Sequence, residues 1–274
     1  VEVDEVWMVE NILTKEEADL LIEAGEKAGY IEAEYVPEAG KGRVVKEVRD
    51  SLRVEIYNDS LAKYLYKRTS ELVPRAYEGG LLIGINDKFR FLKYHKPGCH
   101  FFAHIDGHQE KSEFVRSAIT FQIYLTEGFE GGQTTFIEWC LPGGRYECIP
   151  KVGKGVFFRQ TGWIHEGSPM KSGVKYTVLT DFMYKWFTTA EAEEYMKEVK
   201  EIPTCSICGV KPRFVPTNCE HAFLACYCSP FNSVHAGRDG GEKIDQKQSY
   251  CSICKEKFKL PDDIKETLLK KFAE

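Results

Sequence analysis

No stretch of this 274-residue chain holds the run of about 18 apolar residues that a membrane-spanning helix needs. The residues Val1 to Trp7 lack the pattern of a signal peptide. Because the chain opens on Val1 rather than Met, a removed targeting segment stays open. Internal repeats and low-complexity tracts are absent. So is any surplus of positive charge: 37 Lys and Arg face 42 Asp and Glu, a net charge of −5. That balance weighs against a dedicated nucleic-acid binder, whose phosphate contacts need basic residues gathered on one face. Cysteine is scarce in the first two-thirds, where only Cys99, Cys140 and Cys148 occur. Scattered thiols of this kind fit buried residues in a reducing compartment, so a cytoplasmic or nuclear location is expected. With 43% hydrophobic residues, a core is within reach without disulfides or oligomerisation.

The spacing predicts an α+β chain, mainly β, in two parts. Residues 1–201 form the larger domain, with helical support over about 10–75 and a β-rich body over about 88–187. Thr14-Lys15-Glu16-Glu17 is a capping box and opens a helix that stops near Gly29. A second helix is predicted from Ser60 to about Val73, ended by Pro74. Short β-runs follow at 89–95, 117–126, 133–138, 145–149, 155–160 and 174–186, broken by Gly and Pro, a pattern of a sandwich, barrel or jelly roll. A helix over 189–200 leads to residues 202–274, a small cysteine-rich module.

His104-Ile105-Asp106 points to metal chemistry. In a strand, residues i and i+2 share a face, so an imidazole and a carboxylate stand side by side. His165, after the run from Gly155 to Ile164, is the natural third ligand. Two His and one carboxylate leave open positions on an octahedral ion, as in non-haem Fe(II) oxygenases. On the strand from Val174, parity puts Lys175, Thr177 and Leu179 on one face, where an amine beside a hydroxyl can hold the distal carboxylate of a dicarboxylic acid. Parity also divides Ile119, Phe121, Ile123 and Leu125 from Ala118, Thr120, Gln122 and Tyr124, the second set polar enough to line a wet pocket. Tyr94 and Tyr124 can reach a cosubstrate there or serve as core tyrosines. Trp139, Trp163 and Phe101 can rim the entrance or pack in the core.

The run from Arg90 to Gly107, with Tyr124-Leu125, the segment 130–136, His165-Glu166-Gly167 and Gly173-Val174-Lys175-Tyr176-Thr177, resembles the prolyl-4-hydroxylase-type 2-oxoglutarate/Fe(II) dioxygenases. The resemblance covers roughly residues 5 to 187. It implies a double-stranded β-helix (a jelly roll) with supporting N-terminal helices. It implies Fe(II) on His104, Asp106 and His165, and 2-oxoglutarate held by Lys175 with help from Tyr94, Tyr124 and Thr177. The implied reaction consumes O2 and 2-oxoglutarate, releases succinate and CO2, and hydroxylates a C–H bond, with ascorbate as an accessory reductant. Relatives ending in Lys-Tyr-x-Leu-Arg-Thr-Asp carry Arg where this chain has Leu179, a departure that bears on substrate choice more than on catalysis.

The tail reads Cys205-x2-Cys208, Cys219-x-His221, Cys226-x-Cys228 and Cys251-x2-Cys254, with His235 between the last two groups. Thiolates and imidazoles at this density select structural Zn(II), which supplies folding energy to a segment too short for a large core. The order resembles a RING finger. That likeness implies one zinc on Cys205, Cys208, Cys226 and Cys228 and another on Cys219, His221, Cys251 and Cys254, with Ile207 offered to a ubiquitin-conjugating enzyme. Cys226-x-Cys228 is one residue short of the pattern, and His235 is an alternative ligand. Two functions therefore stand as expectations. One is a hydroxylase of a protein or peptide, most simply at prolyl residues, with the zinc module recruiting or structural. The other is a zinc-finger interaction or ubiquitin-ligase protein with an inactive jelly roll. The same oxygenase chemistry on a small molecule or nucleic acid is a third.

Overall fold

The computed structural model describes residues 6–35, 42–137, 144–199, 202–204, 211–216, 221–225, 249–250 and 257–258. In chain order the elements used below are β1 (Val6–Val9), α1 (Lys15–Ala28), β2 (Ile31–Glu32), β3 (Arg49–Asp50), β4 (Leu52–Tyr57), α2 (Asp59–Thr69), β5 (Gly80–Ile85), β6 (Lys88–Tyr94) and β7 (His100–His104). They continue with β8 (Val115–Tyr124), β9 (Thr134–Ile137), β10 (Arg145–Cys148), β11 (Gly155–Arg159), β12 (Ile164–Gly167), β13 (Lys175–Lys185), β14 (Phe187–Thr188), α3 (Thr189–Val199), β15 (Arg213–Pro216) and β16 (His221–Ala225). Among the described residues no helix is long and apolar enough to cross a membrane.

Local chemistry sets the helix ends. Thr14 Oγ1 accepts from the Glu17 amide, and Glu17 accepts in return from the Thr14 amide, so two orphan donors of α1 are satisfied. Gly29 closes α1 at φ +86°, which costs a residue without Cβ little. Asn58 caps α2 by accepting from the Leu61 amide.

The strands form a jelly roll of two sheets. The larger runs β1-β11-β8-β13-β6-β4-β2, with β5 also paired to β13; the smaller runs β10-β9-β12-β7-β3. The outer face of the large sheet buries Ile119, Phe121 and Ile123 of β8, Phe157 of β11 and Phe182 of β13 against α1 and α2, which contribute Ala18, Ala62 and Leu65. Trp7, Phe157 and Phe121 stack in sequence across that face, and Phe182 packs tilted against Phe121. Between the sheets, Tyr124, Phe136, Val156 and Phe158 fill one end; the other end stays hollow and polar.

Parity holds on β8 with one correction. A register shift between Ser117 and Ile119 bulges the strand, so Ala118 packs in the outer core and does not line the pocket. β4 and β5 are strands that the sequence reading leaves unassigned. On β4, Val54 and Ile56 face the outer core, while Arg53 lines the hollow end.

Gly153 ties the core together. Its amide donates to Tyr124 O, and its carbonyl accepts from Ile12 and Leu13. Its φ is +75°, and a Cβ there would lie 2.0 Å from Leu13 O. Gly153→Ala should therefore lower unfolding stability by at least about 2 kcal/mol, since left-handed strain adds to a backbone clash. Denaturant unfolding measures it; a loss no larger than that of an ordinary surface substitution would contradict the contact.

Past residue 201, β16 pairs with both β14 and β15. Leu224 and Ile202 are buried with Ala76, Leu81, Phe187 and Ala192. Ile202, Phe214 and Leu224 of the tail thus pack on the β5 side of the jelly roll. Cys205, Cys208, Cys219, Cys226, Cys228, His235, Cys251 and Cys254 lie outside the described residues, and His221 is described only as backbone of β16.

Candidate metal centre

His104 ends β7, and Asp106 follows two residues beyond the strand. The third imidazole arrives by register: β12 pairs antiparallel with β7 and sets His165 directly opposite His104. The ligand atoms of His104, Asp106 and His165 lie within 4.8 Å of one another, close enough for one ion to meet all three. His104 Nε2 is 3.6 Å, and His165 Nε2 3.8 Å, from Asp106 Oδ1.

Each ligand is oriented from behind. Nδ1 of His104 donates to Phe102 O at 2.8 Å and Nδ1 of His165 to Trp163 O at 3.2 Å, which leaves both Nε2 lone pairs facing inward. Thr120 Oγ1 donates to Asp106 Oδ2 at 2.7 Å and leaves Oδ1 free. Phe101 stacks on the His104 ring at 3.7 Å, and Phe158 packs on His165 at 4.6 Å. Burial pushes His165 down to about 4, so the imidazole is neutral near neutrality. Burial alone would raise Asp106, but His165, His104 and Arg90 outweigh it and hold the carboxyl well below its usual range. Neutral imidazoles and an ionised carboxylate are the forms that bind metal. With this donor set, the residues fit Fe(II).

The centre opens into a cavity of ≈ 90 Å³ whose walls include Tyr94, Gln122, Thr134, Lys175, Thr177 and Leu179. Cross-strand register explains that wall. Lys175 faces Tyr94, Thr177 faces Leu92 and Leu179 faces Arg90, all directed between the sheets. The Lys175 side chain is 2% exposed. Its Nζ donates to Gly132 O at 2.6 Å and stands 4.7 Å from the Tyr94 ring centroid. Gly132 turns that carbonyl inward at φ +68°, and a Cβ there would meet Met170 Sδ at 2.3 Å. Burial pushes Lys175 down to about 7. Thr177 Oγ1 is buried without a partner. An amine without an anionic partner beside a hydroxyl without a hydrogen-bond partner could together hold a carboxylate. Tyr124 takes a different position from Tyr94: its hydroxyl is engaged with Thr134, donating to Oγ1 at 2.8 Å and accepting from the amide at 3.0 Å, and it does not line the cavity. Phe101 lines the cavity, whereas Trp163 packs edge-on against Phe136. Trp139 lies outside the described residues.

Sequence reasoning missed the cavity's arginines. Arg53 and Arg90 project from β4 and β6, and Arg49 from β3. Arg90 donates to Asp181 Oδ1 at 2.8 Å, and Arg53 lies 3.6 Å from Glu55. Strict alternation in Arg53-Val54-Glu55-Ile56 was the available signal; Arg49 on its two-residue strand has none. The register also accounts for Leu179, since Arg90 opposite supplies a guanidinium at that level of the pocket.

Residues 89–184 match the family model described as the 2OG-Fe(II) oxygenase superfamily. No curated protein matches the chain. Among solved structures, a Trichoplax adhaerens prolyl hydroxylase, in complex with a hypoxia inducible factor oxygen degradation domain peptide fragment, superposes with a TM-score of 0.52 at 16% identity, over 66% of this chain and 84% of that one. A Pseudomonas putida prolyl-4-hydroxylase gives 0.48 at 16% identity, over 66% and 92%. The viral collagen prolyl hydroxylase of Paramecium Bursaria Chlorella virus-1 gives 0.44 at 18% identity, over 67% and 98%. At 16% identity the likeness to the Trichoplax protein is one of fold.

Proposed function

We propose that this chain is a 2-oxoglutarate- and Fe(II)-dependent dioxygenase that hydroxylates a C–H bond, on a prolyl residue of a protein or peptide. The observation that carries the reading is the union in one cavity of the His104–Asp106–His165 cluster with the Lys175–Thr177 cradle. The prolyl assignment is supported by the motifs between Arg90 and Gly107 and by the shared fold. Iron held there would activate O2, the oxidant, whose two oxygen atoms end in the new hydroxyl and in succinate as 2-oxoglutarate loses CO2.

The protein's part is holding and excluding. His104, Asp106 and His165 would hold the ion, with the cavity beside them. Lys175 and Thr177 hold the distal carboxylate, with Tyr94 packed beside the amine. Burial pushes the Cys148 thiol up to about 12, so it stays protonated beside the cosubstrate pocket and is a poor target for oxidation. In the tail, the cysteine pattern supports a zinc module that is structural or recruits the substrate.

The test supplies Fe(II), 2-oxoglutarate and ascorbate, presents proline-containing peptides, and follows succinate and the gain of one oxygen atom on the peptide by mass spectrometry. Succinate formation coupled to proline oxidation is expected. Oxidation at another residue would move the substrate assignment, and absence of any 2-oxoglutarate turnover by the iron-loaded protein would overturn the enzyme reading.

A further inference from the structure

Four cationic side chains line the cavity: Arg49, Arg53, Arg90 and Lys175. This is more positive charge than 2-oxoglutarate can use. With iron and cosubstrate in place, Asp106 and the two cosubstrate carboxylates balance the ion and Lys175. Arg90 is paired with Asp181 at 2.8 Å, and Arg53 has Glu55 at 3.6 Å. Glu166, also on the wall, already accepts from Arg145 and Ser168. Arg49 is left over.

Its surroundings make that surplus costly. Arg49 is 8% exposed. Among the described residues its side chain makes one hydrogen bond, from Nε to Ser51 Oγ at 3.1 Å, and no carboxylate pairs with it. The guanidinium lies 4.4 Å from the Phe101 ring centroid, and Phe101 in turn stacks on the metal ligand His104. Register fixes this stack, since Arg49 on β3 is the cross-strand partner of Phe101 on β7. A buried guanidinium held over an aromatic ring, with its fork free, is suited to receive a planar anion.

We propose that Arg49 receives a carboxylate of the primary substrate, so that the molecule hydroxylated is acidic at the target: a peptide with Asp or Glu next to the reacting residue, or one whose reacting residue carries the free C-terminal carboxylate. The inference rests on the oxygenase reading above, and the two fail separately, because cosubstrate turnover without peptide tests only the first.

Binding to the protein loaded with Mn(II) and 2-oxoglutarate, which does not turn over, is the direct measurement. Calorimetry compares two matched probe pairs: acetyl-Pro-Glu-amide with acetyl-Pro-Gln-amide, and acetyl-proline with acetyl-proline amide. In one pair the carboxylate member should bind at least about tenfold more tightly, and the pair that does so identifies side chain or terminus as the source. Arg49→Met should erase the preference, and Arg49→Lys should keep part of it. In the metal-free protein, Arg49→Met should leave the thermal midpoint unchanged or raise it, because an uncompensated buried charge is removed. A structural arginine would show the opposite, a clear fall. Equal binding or no binding within both pairs overturns the proposal, and these wild-type measurements decide even if the Met variant does not fold. It is equally overturned if Arg49→Met weakens 2-oxoglutarate binding and leaves the carboxylate preference intact, which would assign Arg49 to the cosubstrate.

Discussion

Asp106→Ala should abolish iron-dependent conversion of 2-oxoglutarate to succinate, by about 10³-fold or more, and should weaken Mn(II) binding in parallel. Loss of a group that merely orients a ligand costs about ten- to a hundredfold in affinity or activity, and Asp106 is a ligand itself. It also supplies the only anionic donor of the cluster. Without it, two neutral imidazoles would hold a divalent ion in a pocket whose nearest charges include Arg90, a cation. Thr120 Oγ1 would lose its acceptor in the same step. Succinate assay and Mn(II) electron paramagnetic resonance measure the two effects. Circular dichroism should stay that of the parent, because the change opens onto the cavity and leaves the aromatic core untouched. Retained turnover in a folded variant would remove the metal centre from these three residues.

The parts of the site that were legible in the sequence are those governed by local periodicity. Lys175 and Thr177 share a face because strands alternate, and no tertiary information was needed to place them together. The capping box at Thr14 and the stop at Gly29 are set by hydrogen bonds within a few residues. His104 and Asp106 were legible as a pair from their i, i+2 spacing, although the strand that was expected to carry both ends at His104. Bringing His165 to them required the pairing of β12 with β7, which local pattern cannot specify; the motif resemblance supplied that link. Other features are products of register alone. Ala118 leaves the pocket face because β8 bulges, and nothing in Ser117-Ala118-Ile119 announces a bulge. Arg49 enters the cavity because a two-residue strand pairs with β7, too short for any period to show. The shared face of Lys175 and Thr177 thus follows from alternation, whereas the approach of His165 and the surplus arginine follow from topology.

Lys175→Met should raise the concentration of 2-oxoglutarate needed for half-maximal turnover by about 10²- to 10³-fold, with a much smaller loss of rate at saturation. Removing one member of a buried ion pair costs roughly 3–5 kcal/mol, because the other charge is left without compensation. Here the abandoned charge belongs to the cosubstrate, so the cost falls on binding. The metal-free protein should respond differently. Burial holds Lys175 at about 7 rather than the ordinary 10.5. Between those values the unfolded chain binds more protons than the folded one, so this residue makes stability rise with pH through that window. Methionine should flatten the rise and leave stability unchanged or higher near neutrality. The same shift fixes the proton balance of binding. At about pH 8 the free amine is mostly neutral, and an arriving carboxylate favours its charged form, so 2-oxoglutarate should bind with uptake of nearly one proton. At about pH 6 the amine is already charged, and uptake should vanish. Calorimetric titration of 2-oxoglutarate into Mn(II)-loaded protein, in buffers of different ionisation enthalpy, reads this directly. Heats independent of buffer at the higher pH, or an uptake that survives in Lys175→Met, would assign the distal carboxylate to another group, and Arg49 is the cation placed to take it.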